Sequence, residues 1–366
     1  MQYKDNWDET KQRFDAWYRR QKTDGPLLNL NVIRDVPLTD MLAEEPFTDT
    51  CDMYLNPDKR FSRTVNFFNT VKFMGEAYPQ FGIDMGAGSM ALYLGAQPEF
   101  KPDTIWFEHL EDGYDKLLPL KCDPENIWWK RQIEIIERQV ELVQGTDIIV
   151  NIPDIVENID ILSALRSPQV MCFDLYDYPD EVHEAIAQLE DLYKVYYDAI
   201  YDRVKKPDGS SSFTYLGLYG SGKTAKIQCD IAAMLSPDQF REFVLPSLKN
   251  QCKYLDNTVF HLDGPECICH VDALMEIDEL SAVQWMPGAG KPQQADPVWN
   301  EDVYRKIVSA GKGILIDMYS YPLQEGIEHA DRLIKEFGKD TFYLHFPLMS
   351  EKDADALLTK AEKEWK

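Results

Sequence analysis

Short apolar runs alternate with longer amphipathic stretches along this chain, and that rhythm restricts its fold more than any other feature. The runs are PLLNLNVI (26–33), FGIDMGA (81–87), DIIVNIPDI (147–155), FTYLGLYG (213–220), TVFHLDG (258–264), AVQWMPG (282–288), GILIDMY (313–319) and FYLHFPL (342–348). Most are apolar at nearly every position, as strands covered on both faces must be. The stretches between them have helical spacing. WWKRQIEIIERQVELVQG (128–145) ends on Gly, and SPDQFREFVLPSLKNQCKYL (236–255) opens with a Ser cap, Pro and Asp. NEDVYRKIVSAGKG and EGIEHADRLIKEFGKD also stop at Gly, and SEKDADALLTKAEKEWK closes the chain as an amphipathic helix.

Eight buried strands, most followed by a helix, predict an α/β chain built as a (β/α)8 TIM barrel. The expected organisation is a single barrel domain over residues 1–366. Residues 1–80 form an N-terminal cap extension and the first strand. A ninth apolar run, VMCFDLY (170–176), is assigned to a short strand-like segment outside the barrel, ahead of a long helix in YPDEVHEAIAQLEDLYKVYYDAI.

The 366 residues carry a net charge of −25, a balance that repels phosphate backbones and anionic lipid surfaces. Nucleic acid and membranes are therefore set aside as partners. The start, MQYKDNWDETKQRF, lacks the apolar core of a signal peptide, and no apolar run reaches membrane-spanning length. Seven scattered cysteines point to reduced thiols in the cytoplasm. Cys267 and Cys269 lack a second pair, which excludes a zinc ribbon, and they are read with His270 as the start of a helix.

One stretch imitates a nucleotide site. TYLGLYGSGKTAK (214–226) contains the P-loop letters GxxxxGK[ST]. A working P-loop opens a helix, whereas AKIQCDIAAML is a poor helix start, and a proper cap comes only at Ser236. The stretch is read as a Gly-rich loop after a strand.

Chemistry in a barrel gathers at the C-terminal strand ends. Those ends supply Asp84, Asp230, His261, Asp263, Gln284, Trp285, Asp317, Tyr319 and His345. His261, Asp263 and His345 form a candidate metal site, because imidazole and carboxylate suit zinc and other first-row ions and three ligands leave an open position. His261, Asp263 and Asp317 are the candidate acids and bases. Asp84, Asp230, Gln284, Trp285 and Tyr319 are the candidate substrate-binding residues. The competing interpretation of His261, Asp263 and His345 is structural, with the first two bonded to buried groups and the last one packed.

SPDQFREFVLPSLK followed by VFHLDG resembles the uroporphyrinogen decarboxylase superfamily. FGIDMGAGSMALYLGA, DLYDYPDEVHEAI and VQWMPGAGKP resemble a methyltransferase-like branch of it. The resemblance implies a (β/α)8 barrel and either tetrapyrrole decarboxylation or methyl transfer involving corrinoid proteins. The sequence departs from both patterns. The decarboxylase branch carries an Arg-Gln-Ala-Gly-Arg-Tyr segment, where only WYRRQKTDGP stands here, so an octacarboxylate lacks its arginine clamp. The methyltransferase branch binds zinc through His-x-Cys and a late Cys. Here the pair is His261-x-Asp263, and His345 stands where the late Cys is expected.

These readings favour a corrinoid-linked methyltransferase acting on a small methylated compound. Zinc is its expected metal, and the corrinoid would be carried by a partner protein, because the chain shows no Asp-x-His-x-x-Gly corrinoid motif. The expected partners are a small-molecule substrate, a corrinoid protein and a second copy of the chain in a homodimer. The alternatives are a metal-independent decarboxylase or lyase on a small carboxylate, a glycoside hydrolase using Asp263 and Asp317, and a non-catalytic ligand-binding barrel.

Overall fold

The computed structural model describes residues 2–110 and 113–366. Its strands, in chain order, are β1 (Leu27–Ile33), β2 (Val71–Gly75), β3 (Gln80–Phe81), β4 (Gln97–Phe100), β5 (Ile105–Glu108), β6 (Ile149–Ile152), β7 (Ser211–Phe213), β8 (Leu218–Gly220), β9 (Thr224–Gln228), β10 (Asn257–Asp263), β11 (Ala282–Met286), β12 (Gly313–Asp317), β13 (Phe342–His345) and β14 (Met349–Ser350). The larger sheet runs β14-β1-β13-β12-β11-β10-β9, with β2 added antiparallel to β1. Every other pair in it is parallel. A second sheet runs β3-β6-β7-β8, and β4 and β5 form a separate hairpin.

The molecule is thus a mixed α/β protein with a mostly parallel central sheet. The expected closed eight-stranded barrel is not what its ladders draw. Among the described residues no strand ladder joins β1 to β3, or β7 to β9. The gaps fall where the strands are shortest. β3 is two residues long, and β7 turns back through Tyr215 and Gly217, both at positive φ, into the antiparallel β8. Side chains bridge one of these gaps, where Ser211 Oγ accepts from Thr224 N at 3.2 Å.

The predicted strands at 26–33, 147–155, 258–264, 282–288, 313–319 and 342–348 are present, trimmed at their ends. FGIDMGA supplies only the end of β3, and FTYLGLYG is a hairpin rather than one strand. VMCFDLY is helical, inside Pro168–Asp177. Ser167 caps that helix through Val170 N, and Pro168 sits in its first turn, a start signal that outweighs the β-prone letters.

Two N-terminal elements matter for the site. The helix Trp7–Tyr18 lies against the N-terminal strand ends, where the Trp17 indole is fully buried, donates to Thr341 O at 3.0 Å and packs on Gly313. The helix Pro57–Thr70, capped by Asn56, carries Arg63, Phe67 and Phe68 toward the opposite end of the strands.

Candidate active site

Strand register assembles the site. Gln228 pairs with His261, and His261 pairs with Gln284. Gln284 is level with Leu315, so Asp317 lies two residues further along β12, level with His345, which in turn pairs with Asn29. Side chains two apart share a face of the sheet, so the polar groups form two staggered rows at the C-terminal ends.

Asp230, His261 and Asp263 converge, with one ligand atom from each lying within 4.8 Å of the others. His345 is not in this group. Its Nδ1 lies 3.0 Å from Asp317 Oδ1, so of the expected His261, Asp263 and His345 the structure brings the first two together, with Asp230 rather than His345 beside them. The reason is register, because β13 stands two strands beyond β11 and its carboxylate neighbour on β12 captures the imidazole.

A continuous hydrogen-bonded chain links the two histidines. Gln284 Oε1 lies 2.7 Å from His261 Nδ1, and Gln284 Nε2 donates to Asp317 Oδ2 at 2.8 Å. An amide oxygen only accepts, so His261 Nδ1 carries hydrogen and its Nε2 keeps the lone pair. Turning the amide over would set its oxygen against the carboxylate. The bond to Asp317 likewise puts hydrogen on His345 Nδ1. His345 Nε2 is buried without a partner. Burial pushes the Asp317 carboxyl up, but bonds to His345, Gln284 and Gln294 outweigh it and hold the group below its ordinary range.

A second chain reaches the cluster from β9. Lys226 Nζ lies 2.6 Å from Asp154 Oδ2, both side chains being buried, and also donates to Gln228 Oε1. Gln228 Nε2 then donates to Asp230 Oδ2 at 2.7 Å. Asp160 accepts from Asp230 N at 2.7 Å and Ile231 N at 3.0 Å, which fixes the turn that carries Asp230. Burial, then the Asp230 charge, push Asp160 up to about 7. Asp263 is raised as well, by burial and by the charges of Asp230 and Glu266, with His261 opposing.

The remaining predicted residues divide. Tyr319 lines the cavity beside His345, with ring centroids 6.1 Å apart. Asp84 accepts from Tyr215 OH at 2.6 Å and from Gly86 N at 2.9 Å. Trp285 does not reach a ligand space. It alternates with Gln284, is fully buried and packs edge-on against Trp299 at 5.1 Å. The sequence reading passed over Lys226, Gln228, Asp154, Asp160 and Gln294. Their signal was the period-two polarity of Lys226, Gln228 and Asp230 within TAKIQCD, the mark of a strand with one polar face.

The P-loop letters are answered by contacts. The strand β9, not a helix, follows Gly222-Lys223. Carboxylates of the chain itself take the groups a phosphate would need. Asp256 Oδ2 accepts from Lys223 N at 2.8 Å, Asp198 pairs with Lys223 Nζ at 2.7 Å, and Asp15 accepts from Ser221 N at 3.1 Å. Cys267, Cys269 and His270 lie within the helical turn Pro265–His270 that leads into the helix Val271–Leu274, and His270 Nε2 lies 2.9 Å from Ala232 O.

The cluster fits a divalent metal. It offers two carboxylates and one imidazole nitrogen, and His261 presents that nitrogen because Nδ1 is bound to an outer oxygen, the arrangement that orients metal-binding histidines.

No family model matches the chain, and no curated protein matches it in sequence. Among solved structures it is similar to a methyltransferase from Methanosarcina mazei, at 12% identity and a TM-score of 0.59, over 98% of this chain and 99% of that one. At that identity the likeness is one of fold. Among the described residues no helix is long and apolar enough to cross a membrane.

Proposed function

We propose that the chain is a methyltransferase that removes a methyl group from a small methylated compound at the C-terminal strand ends. The observation that carries this is the convergence of Asp230, His261 and Asp263, with His261 Nε2 left free by the Gln284 bond. The full-length likeness to a methyltransferase fold supports the same class. We take the two sheets as arcs of one barrel wall, which the Ser211 to Thr224 bond across a gap supports.

Demethylation leaves a heteroatom carrying negative charge, and that atom needs a proton or a positive neighbour as the bond breaks. With no metal bound, Asp263, whose carboxyl is raised by burial, is the group placed to supply that proton. Asp230, His261 and Asp263 are the residues that would hold zinc or a similar ion, which would polarise the leaving heteroatom. Gln284 and Asp317 keep His261 in the tautomer that serves either role. The methyl acceptor in this account is a corrinoid on a partner protein. The chain could also act as a homodimer in the cytoplasm.

The test is methyl transfer from methylated compounds to free cob(I)alamin, generated beforehand by an added chemical reductant, followed by the change in its visible absorbance as methylcobalamin forms. His261→Ala and Asp263→Asn are expected to slow transfer by roughly 10²–10⁴-fold. Transfer at the wild-type rate in both variants would refute this assignment. A metal-independent lyase is favoured by the same raised Asp263, and carbon dioxide release without methyl transfer would identify it.

A further inference from the structure

A cavity of about 420 Å³ opens beside His345, between β1, β3 and the helix Pro57–Thr70. Its size falls in the usual range for small-molecule sites, about 300–1,000 Å³. Its floor is made of neutral polar groups, namely Asn29, Asn31, Gln80 and His345. Bonds within the chain use part of their capacity. Asn29 Nδ2 donates to Tyr343 OH at 3.0 Å, Asn31 Nδ2 points at Asn29 Oδ1 at 3.4 Å, and Gln80 Oε1 accepts from Asn151 Nδ2 at 3.0 Å. That leaves the amide nitrogen of Gln80 and the amide oxygen of Asn31 for a ligand. The pair offers one donor and one acceptor, a match for hydroxyl groups, which both give and take hydrogen bonds.

The walls are aromatic. Phe68, Phe73 and Tyr78 are buried behind the floor, while Phe67, Tyr215 and Tyr319 stand 46%, 60% and 52% exposed around the opening. Exposed rings around a polar floor suit a ring compound whose face is apolar and whose edge carries oxygen. Gly217, the first glycine of the P-loop-like letters, closes the floor at φ +57°. A Cβ there would come within 3.0 Å of Asn29 Nδ2 and 3.6 Å of Gln80 Nε2.

Charge decides the class. Among the described residues Arg63 is the one Lys, Arg, Asp or Glu side chain lining the cavity, so no described carboxylate lines it. Its guanidinium is already engaged by Lys59 O at 2.9 Å, Glu45 O, the Glu44 carboxylate at 3.6 Å and the Phe47 ring at 4.0 Å. A cationic ligand would meet Arg63 with no carboxylate to pair with. An anionic ligand would meet an arginine already committed and the field of a chain at −25.

We infer that this cavity binds an uncharged ring compound bearing hydroxyl and ether oxygens, either a sugar or a phenol, at a site separate from the carboxylate cluster. His345 is joined to His261 through Asp317 and Gln284, so the cavity and the cluster are linked by one hydrogen-bonded chain.

The experiment is calorimetric titration of the purified full-length chain at pH 7, without any methyl acceptor. Four probes are used: methyl β-D-glucopyranoside, 2-methoxyphenol, 4-methoxybenzoate and tetramethylammonium. One neutral probe is expected to bind at least roughly ten-fold more tightly than both charged ones. Which neutral probe binds distinguishes sugar from phenol. Asn31→Leu and Gln80→Leu, each checked for an unchanged melting temperature, are expected to weaken that binding by roughly ten-fold. The ligand class is overturned if neither neutral probe binds, if a charged probe binds as tightly, or if both variants bind like wild type.

Discussion

Gln284 stands between two imidazoles and sets the tautomer of one of them directly. Its oxygen faces His261 Nδ1 at 2.7 Å and its nitrogen faces Asp317 at 2.8 Å. Replacing it by Leu keeps the volume and removes both bonds. The expected outcome for Gln284→Leu is a metal affinity about 10–100-fold weaker, measured by competition with a chelator. Unchanged affinity would mean that His261 is oriented by something else. A second buried group makes a statement about pH. Lys4 is fully buried and donates to Gly75 O at 2.8 Å and Ala77 O at 2.7 Å, yet burial lowers its pKa to about 8. Between that value and the ordinary 10.5 the unfolded chain holds a proton that the folded chain has lost. Stability from this group therefore rises with pH across that window and is reduced below it. Wild type is expected to gain on Lys4→Met as pH climbs from 8 to 10.5, in paired denaturant titrations. A constant difference would show that Lys4 does not titrate there. Most of the site's letters were legible, because Asp230, His261, Asp263, Gln284 and Asp317 all lie within two residues of a strand's C-terminal end. The partners of His345 were not, because the stagger between β11 and β12 has no signature in a single sequence.

The parallel strands were readable where apolar runs were long and bounded by Gly or Pro, as in TVFHLDG and AVQWMPG. β9 was missed because its polar residues alternate. Lys226 and Gln228 face the site, and the run read as a weak helix start instead of a strand. VMCFDLY was misassigned because β-prone residues dominate it, while Ser167 and Pro168 just before it start a helix. Packing at the opposite end of the strands gives a direct test of the larger sheet. The Trp17 indole is fully buried, and a Cβ on Gly313 would approach it to 3.0 Å. Trp17→Ala is expected to cost about 3–5 kcal/mol in denaturant unfolding, from the cavity and the lost bond to Thr341 O. A loss below about 1 kcal/mol would show that the helix Trp7–Tyr18 is not seated on these strand ends.

The whole chain combines a strongly acidic composition with a buried ion pair close to the carboxylate cluster. Its net charge is −25, while the buried Lys226 and Asp154 neutralise one another beneath the carboxylate cluster. That pairing leaves Asp230, His261 and Asp263 as the concentration of metal-binding atoms among the described residues. The proposed working centre is these three residues and not His345. Metal content by mass spectrometry tests it, on wild-type protein prepared without chelator and on four variants. The expected result is about one zinc or similar ion per chain, lost in Asp230→Ala, His261→Ala and Asp263→Ala and retained in His345→Ala. No metal in the wild type, or a loss in His345→Ala equal to that in His261→Ala, would contradict it.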